Sequence, residues 1–288
     1  MTRSTFTVLI MALLLTAVPV FGSPDQPPQM CLVIFKKQKL LDILRPLKLD
    51  DGAIRDVKRN SDGTKLFVTY YGTGTNGDRV AVVSPTGLRL ISSAGITPNM
   101  ADDETVASFD RDYSVIIGGT EISYTNLSAQ IGFSPGSALY YVLRRGAGGS
   151  LNYGTSIYRT GQPHRPLMKI ETNFWPAGIY ATHDLVDVDG YFFPSAGRAH
   201  DQSGRSWTLL RFRLSTTDGL EKYAEIPVKG TIVDVDQRDQ LFLGTTSSDF
   251  SPSWFLYNMA TGKKEKLGSV RGYAFFLDPS LAKIIDDK

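Results

Sequence analysis

Two segments of alternating valine and aspartate carry the side chains best suited to chemistry. They read Val186-Asp187-Val188-Asp189 and Val233-Asp234-Val235-Asp236. If the segments occupy neighbouring units of a repeated fold, the four aspartates approach a common axis, where grouped carboxylate oxygens suit a hard cation such as Ca²⁺. Asp187 and Asp234 are the Ca²⁺ ligands on that hypothesis. A turn role is favoured, because aspartate commonly accepts hydrogen bonds from a turn backbone. We therefore assign no metal and predict no cofactor.

His183 and Trp175 are the remaining candidates for contact with a ligand. His183 is followed by Asp184, and an adjacent carboxylate can orient an imidazole. Trp175 lies in the aromatic segment 173–180, ahead of a predicted inner strand, where it could stack on a ligand or a partner. Packing in the core is the commoner role of such an aromatic. The predicted ligand-binding set is the four aspartates, His183 and Trp175.

No residue is assigned a catalytic role. His164, His183 and His200 each stand alone, without the close spacing that histidine ligands of zinc show. Glycoside hydrolysis needs two acids across a sugar site, but a chain with 29 acidic residues offers many pairs. The catalytic residues are therefore unknown from the sequence.

An acidic turn followed by an apolar strand recurs along the chain and predicts the elements that position these residues. The phrases begin at Ser61, Asp110, Val186 and Val233, with a degraded copy at Asp278. A turn-and-strand unit that returns every ~40 to 50 residues is typical of a β-propeller. Gly-rich turns between further strands complete each unit, so each unit is predicted to be one four-stranded blade.

The predicted fold is an all-β propeller of five or six four-stranded antiparallel blades, closed by strands from both termini. The gap between the second and third phrases is long and holds either one enlarged blade or two shortened ones. Terminal strands are predicted at residues 31–36, 41–49, 272–277 and 281–285. Two strands from each end complete one blade, which removes exposed sheet edges. Helical periodicity is confined to a turn or two around residues 38–44.

Two resemblances support this architecture. The segments 61–68 and 133–140 resemble the repeats of exported TolB-like propellers, loosely over residues 54–285. The segment 199–207 resembles the Asp-box turn of sialidase-type propellers, with Ala199 in place of the first hydroxyl residue. That resemblance implies that Asp201 braces a hairpin while Trp207 packs between sheets. Both resemblances imply a fold and no particular activity.

The N-terminal segment predicts export. Residues 1–22 combine Arg3 with an apolar run from Phe6 to Phe21, the layout of a secretory signal peptide. The run is shorter than the roughly 20 residues that span a bilayer, so we expect no transmembrane span after cleavage. Residues 23–30 form a Pro-rich leader, and residues 31–288 are predicted to form a single propeller domain. The protein is thus predicted to be secreted or periplasmic.

The net charge and the cysteine content exclude some classes of partner and of covalent cross-link. The net charge of +2 over 288 residues gives no general attraction to nucleic acid. Cys31 is the only cysteine, so no internal disulfide can form. The favoured function is a scaffold that binds a protein partner or an extracellular ligand. The alternative is a propeller hydrolase or lyase that acts on carbohydrate or a lactone through channel carboxylates, with or without Ca²⁺. Whether the protein is an enzyme stays open, and its oligomeric state is not predicted.

Overall fold

The computed structural model describes most of the chain beyond residue 29. The described ranges are 30–49, 54–71, 78–91, 96–109, 114–122, 128–134, 139–145, 153–170, 174–181, 185–192, 206–214, 219–237, 239–246 and 253–287. The predicted signal peptide and most of the leader lie outside them. So do His183, the turn at residues 110–113 and most of the Asp-box segment.

The described chain begins with one strand and a short helical region. Strand β1 (Cys31–Lys36) leads directly into helix α1 (Lys37–Leu44) and a 3-10 turn (Arg45–Leu47). Leu40, Ile43 and Leu44 of α1 are buried, so one face of the helix packs on the core. The helical periodicity noted around residues 38–44 is confirmed, whereas the strand predicted at residues 41–49 is wrong.

Five four-stranded antiparallel sheets follow, each a meander in which consecutive strands pair. The first blade contains β2 (Ile54–Arg59), β3 (Leu66–Tyr70), β4 (Arg79–Ser84) and β5 (Gly87–Ile91). The second contains β6 (Ile96–Met100), β7 (Val106–Phe109), β8 (Val115–Ile117) and β9 (Thr120–Ile122). The third contains β10 (Ser128–Phe133), β11 (Leu139–Arg145), β12 (Tyr153–Arg159) and β13 (Pro166–Ile170). The fourth contains β14 (Phe174–Ala181), β15 (Leu185–Phe192), β16 (Ser206–Leu214) and β17 (Leu220–Val228). The fifth contains β18 (Thr231–Asp236), β19 (Leu241–Thr246), β20 (Ser253–Asn258) and β21 (Lys264–Ser269).

A two-stranded sheet closes the ring. Strand β22 (Gly272–Leu277) pairs antiparallel with β1, from Cys31 opposite Leu277 to Lys36 opposite Gly272. Closure by strands from both termini is therefore confirmed, and the structure selects five four-stranded blades. Among the described residues the closing sheet has two strands, because the other two segments predicted as its strands, 41–49 and 281–285, are largely helical.

The last segment forms helix α2 (Pro279–Asp287) in place of the strand predicted at residues 281–285. Asp278 Oδ1 accepts a hydrogen bond from Ser280 N (2.8 Å), as a helix N-cap does, and Pro279 suits the first helical position. Leu281 and Ile285, four residues apart, are buried on one face. Capping and tertiary packing thus override the β propensity of a short apolar run.

Six apolar clusters form the core, one at each junction around the ring. Strand β22 shows how the closing sheet joins its neighbours. Phe275 and Leu277 pack with the first blade and both helices, whereas Ala274 and Phe276 pack with the fifth blade. Because successive side chains of a strand point to opposite faces, one strand fills both junctions.

The repeated acidic phrase has different structures in different blades. In the first blade it forms the predicted turn, where Asp62 Oδ1 accepts hydrogen bonds from Thr64 N (2.9 Å) and Oγ1 (2.6 Å). In the fourth blade the turn predicted at Asp189 and Gly190 is wrong, because both residues lie within the continuous strand β15. The long gap between the second and third phrases holds the whole third blade and parts of the second and fourth, and the strands of the second blade are only three to five residues long.

Candidate functional site

A cavity of about 270 Å³ lies on the axis of the ring. The first strands of all five blades, β2, β6, β10, β14 and β18, contribute to its wall, together with Phe275 of β22. A cavity that every blade lines is the central channel of a propeller. Its charged lining residues are Asp56, Lys58, Arg59, Asp189 and Asp234.

Asp189 is the most unusual of these charged residues. It is 1% exposed, and its Oδ1 has no hydrogen-bond partner among the residues that the structure describes. Burial raises the pKa of Asp189 from its ordinary value of 3.8 to about 7, although Lys58 and the backbone N–H of Gly178 favour the charged form. Near neutral pH this carboxyl can therefore hold or release a proton.

A glycine in the inner strand gives Asp189 access to the channel. The pairing of β14 with β15 shifts between Pro176 and Gly178, as in a β-bulge. A Cβ at Gly178 would lie 2.4 Å from Asp189 Oδ1 and 2.9 Å from Tyr180 Oη. Because such contacts are too short, the site requires glycine at this position.

The inner strand of the third blade also has a glycine that makes room for a side chain of the second strand. A Cβ at Gly132 of β10 would lie 2.8 Å from Tyr141 Oη, so glycine allows the Tyr141 ring of β11 to approach the channel wall. Gln130 Nε2 donates a hydrogen bond to Tyr141 Oη (2.9 Å). Burial, and then the nearby Asp189, raise the pKa of both Tyr141 and Tyr180. Both phenols therefore remain protonated at neutral pH, beside the Asp189 carboxyl.

Asp234 joins three parts of the ring. Its Oδ2 accepts a hydrogen bond from Arg59 Nε of the first blade (2.6 Å) and from Phe276 N of the closing sheet (2.9 Å). Arg59 Nη2 also donates to Val235 O (2.8 Å). The pair is buried on both sides, with side-chain exposures of 5% and 3%. The pair thus links the first and fifth blades, which lie on either side of the closing sheet.

Asp187 joins the fourth and fifth blades. It accepts hydrogen bonds from Arg211 Nε (2.7 Å) and Nη2 (3.2 Å) across the sheet. Gln237 Nε2, which follows the inner strand of the fifth blade, donates to Asp187 Oδ2 (2.9 Å). Asp187 does not line the cavity.

Asp236 and Trp175 also lie away from the channel wall. Asp236 is buried and its Oδ1 accepts a long hydrogen bond from Asp239 N (3.5 Å), in the turn that follows β18. Trp175 stacks on Tyr191 within the fourth blade, with ring centroids 6.4 Å apart. Of the six predicted ligand-binding residues, the structure thus brings Asp189 and Asp234 to the cavity, and His183 lies outside the described residues.

The hypothesis of Ca²⁺ at Asp187 and Asp234 stays a prediction. Both carboxylates are occupied by arginine, in the pairs with Arg211 and Arg59. Within the described ranges, no group of three or more His, Cys, Asp or Glu side chains is arranged to hold a metal.

Ser134 lies in a match to the Gly-x-Ser-x-Gly pattern of serine hydrolases, residues 132–136. Its hydroxyl donates to Leu139 O (3.0 Å) and accepts from Leu139 N (3.1 Å), and the residue is fully buried. A nucleophile elbow leads from a strand into a helix, whereas this segment connects β10 to the antiparallel strand β11. Ser134 therefore stabilises a hairpin and is no nucleophile candidate.

Sequence reasoning missed Lys58, Tyr141 and Tyr180 as site residues. They belong to no motif, because three different blades bring them together. Gly132 and Gly178 carried a usable signal, since glycine inside a predicted strand indicates that another group approaches the backbone closely.

The architecture places the protein among the β-propellers. No protein-family model and no curated protein sequence matches the chain. The β-propeller domain of the trilobed protease from Pyrococcus furiosus is similar to it, with 14% identity over 79% of this chain and 75% of that one, and a TM-score of 0.45. TolB from Acinetobacter baumannii shares 11% identity over 78% of this chain and 56% of its own, with a TM-score of 0.49. An oligogalacturonate lyase in complex with manganese shares 9% identity over 75% of this chain and 78% of its own, with a TM-score of 0.42.

The predicted resemblance to TolB-like propellers thus has a counterpart among solved structures, and no specific family is identified. The matched region spans little more than half of the TolB chain. At these identities and TM-scores the likenesses say nothing about activity, and the propeller architecture rests on the strand order of the chain itself. In the part of the chain that the structure describes, neither helix is long and apolar enough to cross a membrane.

Proposed function

We propose that this propeller binds a small extracellular molecule in its central channel, with Asp189 as the polar anchor. The observation that carries the proposal is the Oδ1 atom of Asp189, which is buried beside a cavity of about 270 Å³ without a hydrogen-bond partner among the described residues. Leaving a buried polar group unsatisfied costs about 1–3 kcal/mol. A ligand that supplies the missing partner recovers this cost, so the site favours an occupied channel.

The walls of the cavity suit a small organic ligand. Met100, Phe133, Ile179, Trp207 and Phe275 provide apolar surface around the polar centre. An apolar cleft with a few convergent polar groups is the usual form of a ligand site. Binding in the channel also agrees with a ring in which an apolar cluster packs each junction between the described sheets.

The test is a search for a ligand that depends on Asp189. Purified wild-type protein, Asp189→Asn and Asp236→Asn are compared by native mass spectrometry and by thermal shift against a library of small metabolites. Asp236 is a matched control, because it is a buried aspartate that does not line the cavity. We expect ligands that stabilise the wild type and Asp236→Asn but not Asp189→Asn. A screen in which every stabilising ligand acts equally on all three proteins would contradict the proposal.

Catalysis is the second candidate function, and the titration of Asp189 favours it. A carboxyl with a pKa of about 7 is suited to general acid–base chemistry at neutral pH. Asp56 lines the same cavity and could serve as the second acid of a hydrolase or lyase that acts on carbohydrate or a lactone. Turnover of a channel ligand that is lost in both Asp189→Asn and Asp56→Asn would establish this function. A channel ligand recovered chemically unchanged after prolonged incubation would leave binding as the function.

A protein partner is the broader alternative, and propeller loops often form such interfaces. A pull-down with tagged protein tests it. A partner whose capture is unaffected by Asp189→Asn would bind the loops, whereas a partner that inserts a side chain into the channel would be lost with that substitution.

A further inference from the structure

Building on the ligand-binding function proposed above, we propose that the channel takes a small cationic amine with an apolar body, and that Asp189 is its counter-ion.

The ion pairs around the cavity leave the Asp189 carboxylate without a paired base, although Lys58 favours its charged form. Arg59 is paired with Asp234 at 2.6 Å, and Lys58 Nζ lies 3.5 Å from Asp56 Oδ2. No ion pair within the described residues includes Asp189. The lining thus carries three acids against two bases. When Asp189 is ionised, a ligand with one positive charge balances the site, whereas a carboxylate or a phosphate would add to the excess of negative charge.

The hydrogen-bonding groups near Asp189 also suit an ammonium group. An ammonium has three donors and no acceptor, and Asp189 Oδ1 is an acceptor without a donor. Tyr180 Oη lies near Asp189 Oδ1, since the two atoms would be 2.9 Å and 2.4 Å from a Cβ at Gly178. This Oη can accept an N–H. A single primary amine can therefore donate to both Asp189 Oδ1 and Tyr180 Oη.

The rest of the wall suits an apolar or aromatic body. Phe133, Trp207 and Phe275 line the cavity from the third blade, the fourth blade and the closing sheet. A cation near aromatic faces gains additional stabilisation when water is excluded. The volume of about 270 Å³ accommodates a benzene ring with a short side chain. An arylalkylamine therefore represents the ligand class.

The pH dependence of binding distinguishes a cation from an anion. The titratable and charged groups that face Asp189 are Asp56, Lys58 and Arg59 of β2, Asp234 of β18, Tyr141 of β11 and Tyr180 of β14. A cation binds the carboxylate form of Asp189, whose pKa in the free protein is about 7. Its affinity should therefore rise about ten-fold between pH 6 and pH 8, as the carboxyl ionises. A ligand that accepts the carboxyl proton would show the opposite slope.

The experiment is calorimetric titration of the full protein with three probes of one shape, 2-phenylethylamine, 2-phenylethanol and phenylacetate, at pH 6, 7 and 8. We expect the amine to bind most tightly and to gain affinity with pH. Asp189→Asn should lose at least ten-fold in amine affinity at pH 8 and should remove the pH dependence. Asp236→Asn, confirmed as folded by its circular dichroism, should retain both properties.

Two results would overturn the inference, and each bears differently on the proposed function. Tighter binding of phenylacetate or phenylethanol, dependent on Asp189, would leave a ligand-binding channel with a different preference. Failure of all three probes would overturn the amine assignment. The library screen described above would then decide whether the channel binds a ligand at all. The pH slope of the wild type is a second criterion that requires no variant.

Discussion

Asp187 and Asp189 lie two residues apart on one strand, yet their environments differ because of the residues opposite them. Asp187 faces Arg211 across the sheet, and Asp189 faces Leu209. The first carboxylate therefore forms a buried ion pair, whereas the second remains beside the channel with a raised pKa. A strand presents alternate residues on the same face, so the two side chains share a face but differ in their cross-strand partner and in their access to the cavity.

The raised pKa of Asp189 predicts a stability that depends on pH. An acid whose pKa is higher in the folded state stabilises the fold below its unfolded pKa, and this stability is lost as the pH rises through the folded value. Between pH 4 and pH 8 we expect the wild type to lose about 2–4 kcal/mol through this residue. Asp189→Asn should remove that loss and be the more stable protein at pH 8. Urea denaturation of both proteins across this range measures the difference.

The exposed Asp286 supplies the control for that measurement. Asp286→Asn should follow the wild-type pH profile. Parallel profiles for the wild type and Asp189→Asn would show that Asp189 ionises normally in the folded protein.

Within strand β14, Gly178 determines whether the channel site can exist. Gly178→Ala places a methyl group against Asp189 Oδ1 and Tyr180 Oη, so we expect a loss of about 1–3 kcal/mol of stability. Gly178→Ala should also abolish ligand binding in the channel. Gly154→Ala is the matched control, since a Cβ at that exposed strand position meets nothing within 4 Å. Equal melting temperatures for the two variants would contradict the close approach described here.

The elements also show what the sequence could and could not predict. Strands and turns such as Ser61–Thr64 were predictable, because turn chemistry is local. The channel site was not predictable, because Lys58, Tyr141 and Asp189 come from three blades whose juxtaposition depends on the closed ring. Segment 281–285 was assigned as a strand since its helical cap at Asp278 and its buried face depend on tertiary contacts. The alternation of valine and aspartate in β15 correctly predicts a strand, but its predicted place in the blade is wrong: β14, which contains Trp175, is the inner strand and β15 is the second. The turn at Gly190 was inferred from composition alone.

For the whole ring, the Arg59–Asp234 pair is a buried ion pair that links the first and fifth blades. Removing one partner leaves a buried charge, so Arg59→Met should cost about 3–5 kcal/mol. The double variant Arg59→Met/Asp234→Asn should recover part of that loss. Lys222→Ala, at an exposed ion pair with Glu225, should cost less than about 1 kcal/mol. Chemical denaturation of the wild type, these variants and the single variant Asp234→Asn measures the coupling, and an additive double variant would argue against the pair as a closing contact.

We further expect the chain to be exported and processed. The apolar N-terminal segment predicts cleavage after Gly22, so the mature protein should begin at Ser23. Intact-mass analysis of protein recovered from the culture medium or the periplasm tests this expectation. A species that retains residues 1–22 would indicate that the segment is kept as an anchor.

The pairing of β1 with β22 places a constraint on the timing of biosynthesis. The two strands are separated by more than two hundred residues, so β1 emerges from the ribosome well before its partner exists. At 5–20 residues per second, this interval is roughly 10 to 50 seconds. Each blade is a local meander and can form as it is synthesised, but the closing sheet must wait for the final strand. The nascent chain therefore remains an open arc until β22 is synthesised, and a product terminated before Gly272 would lack a completed channel.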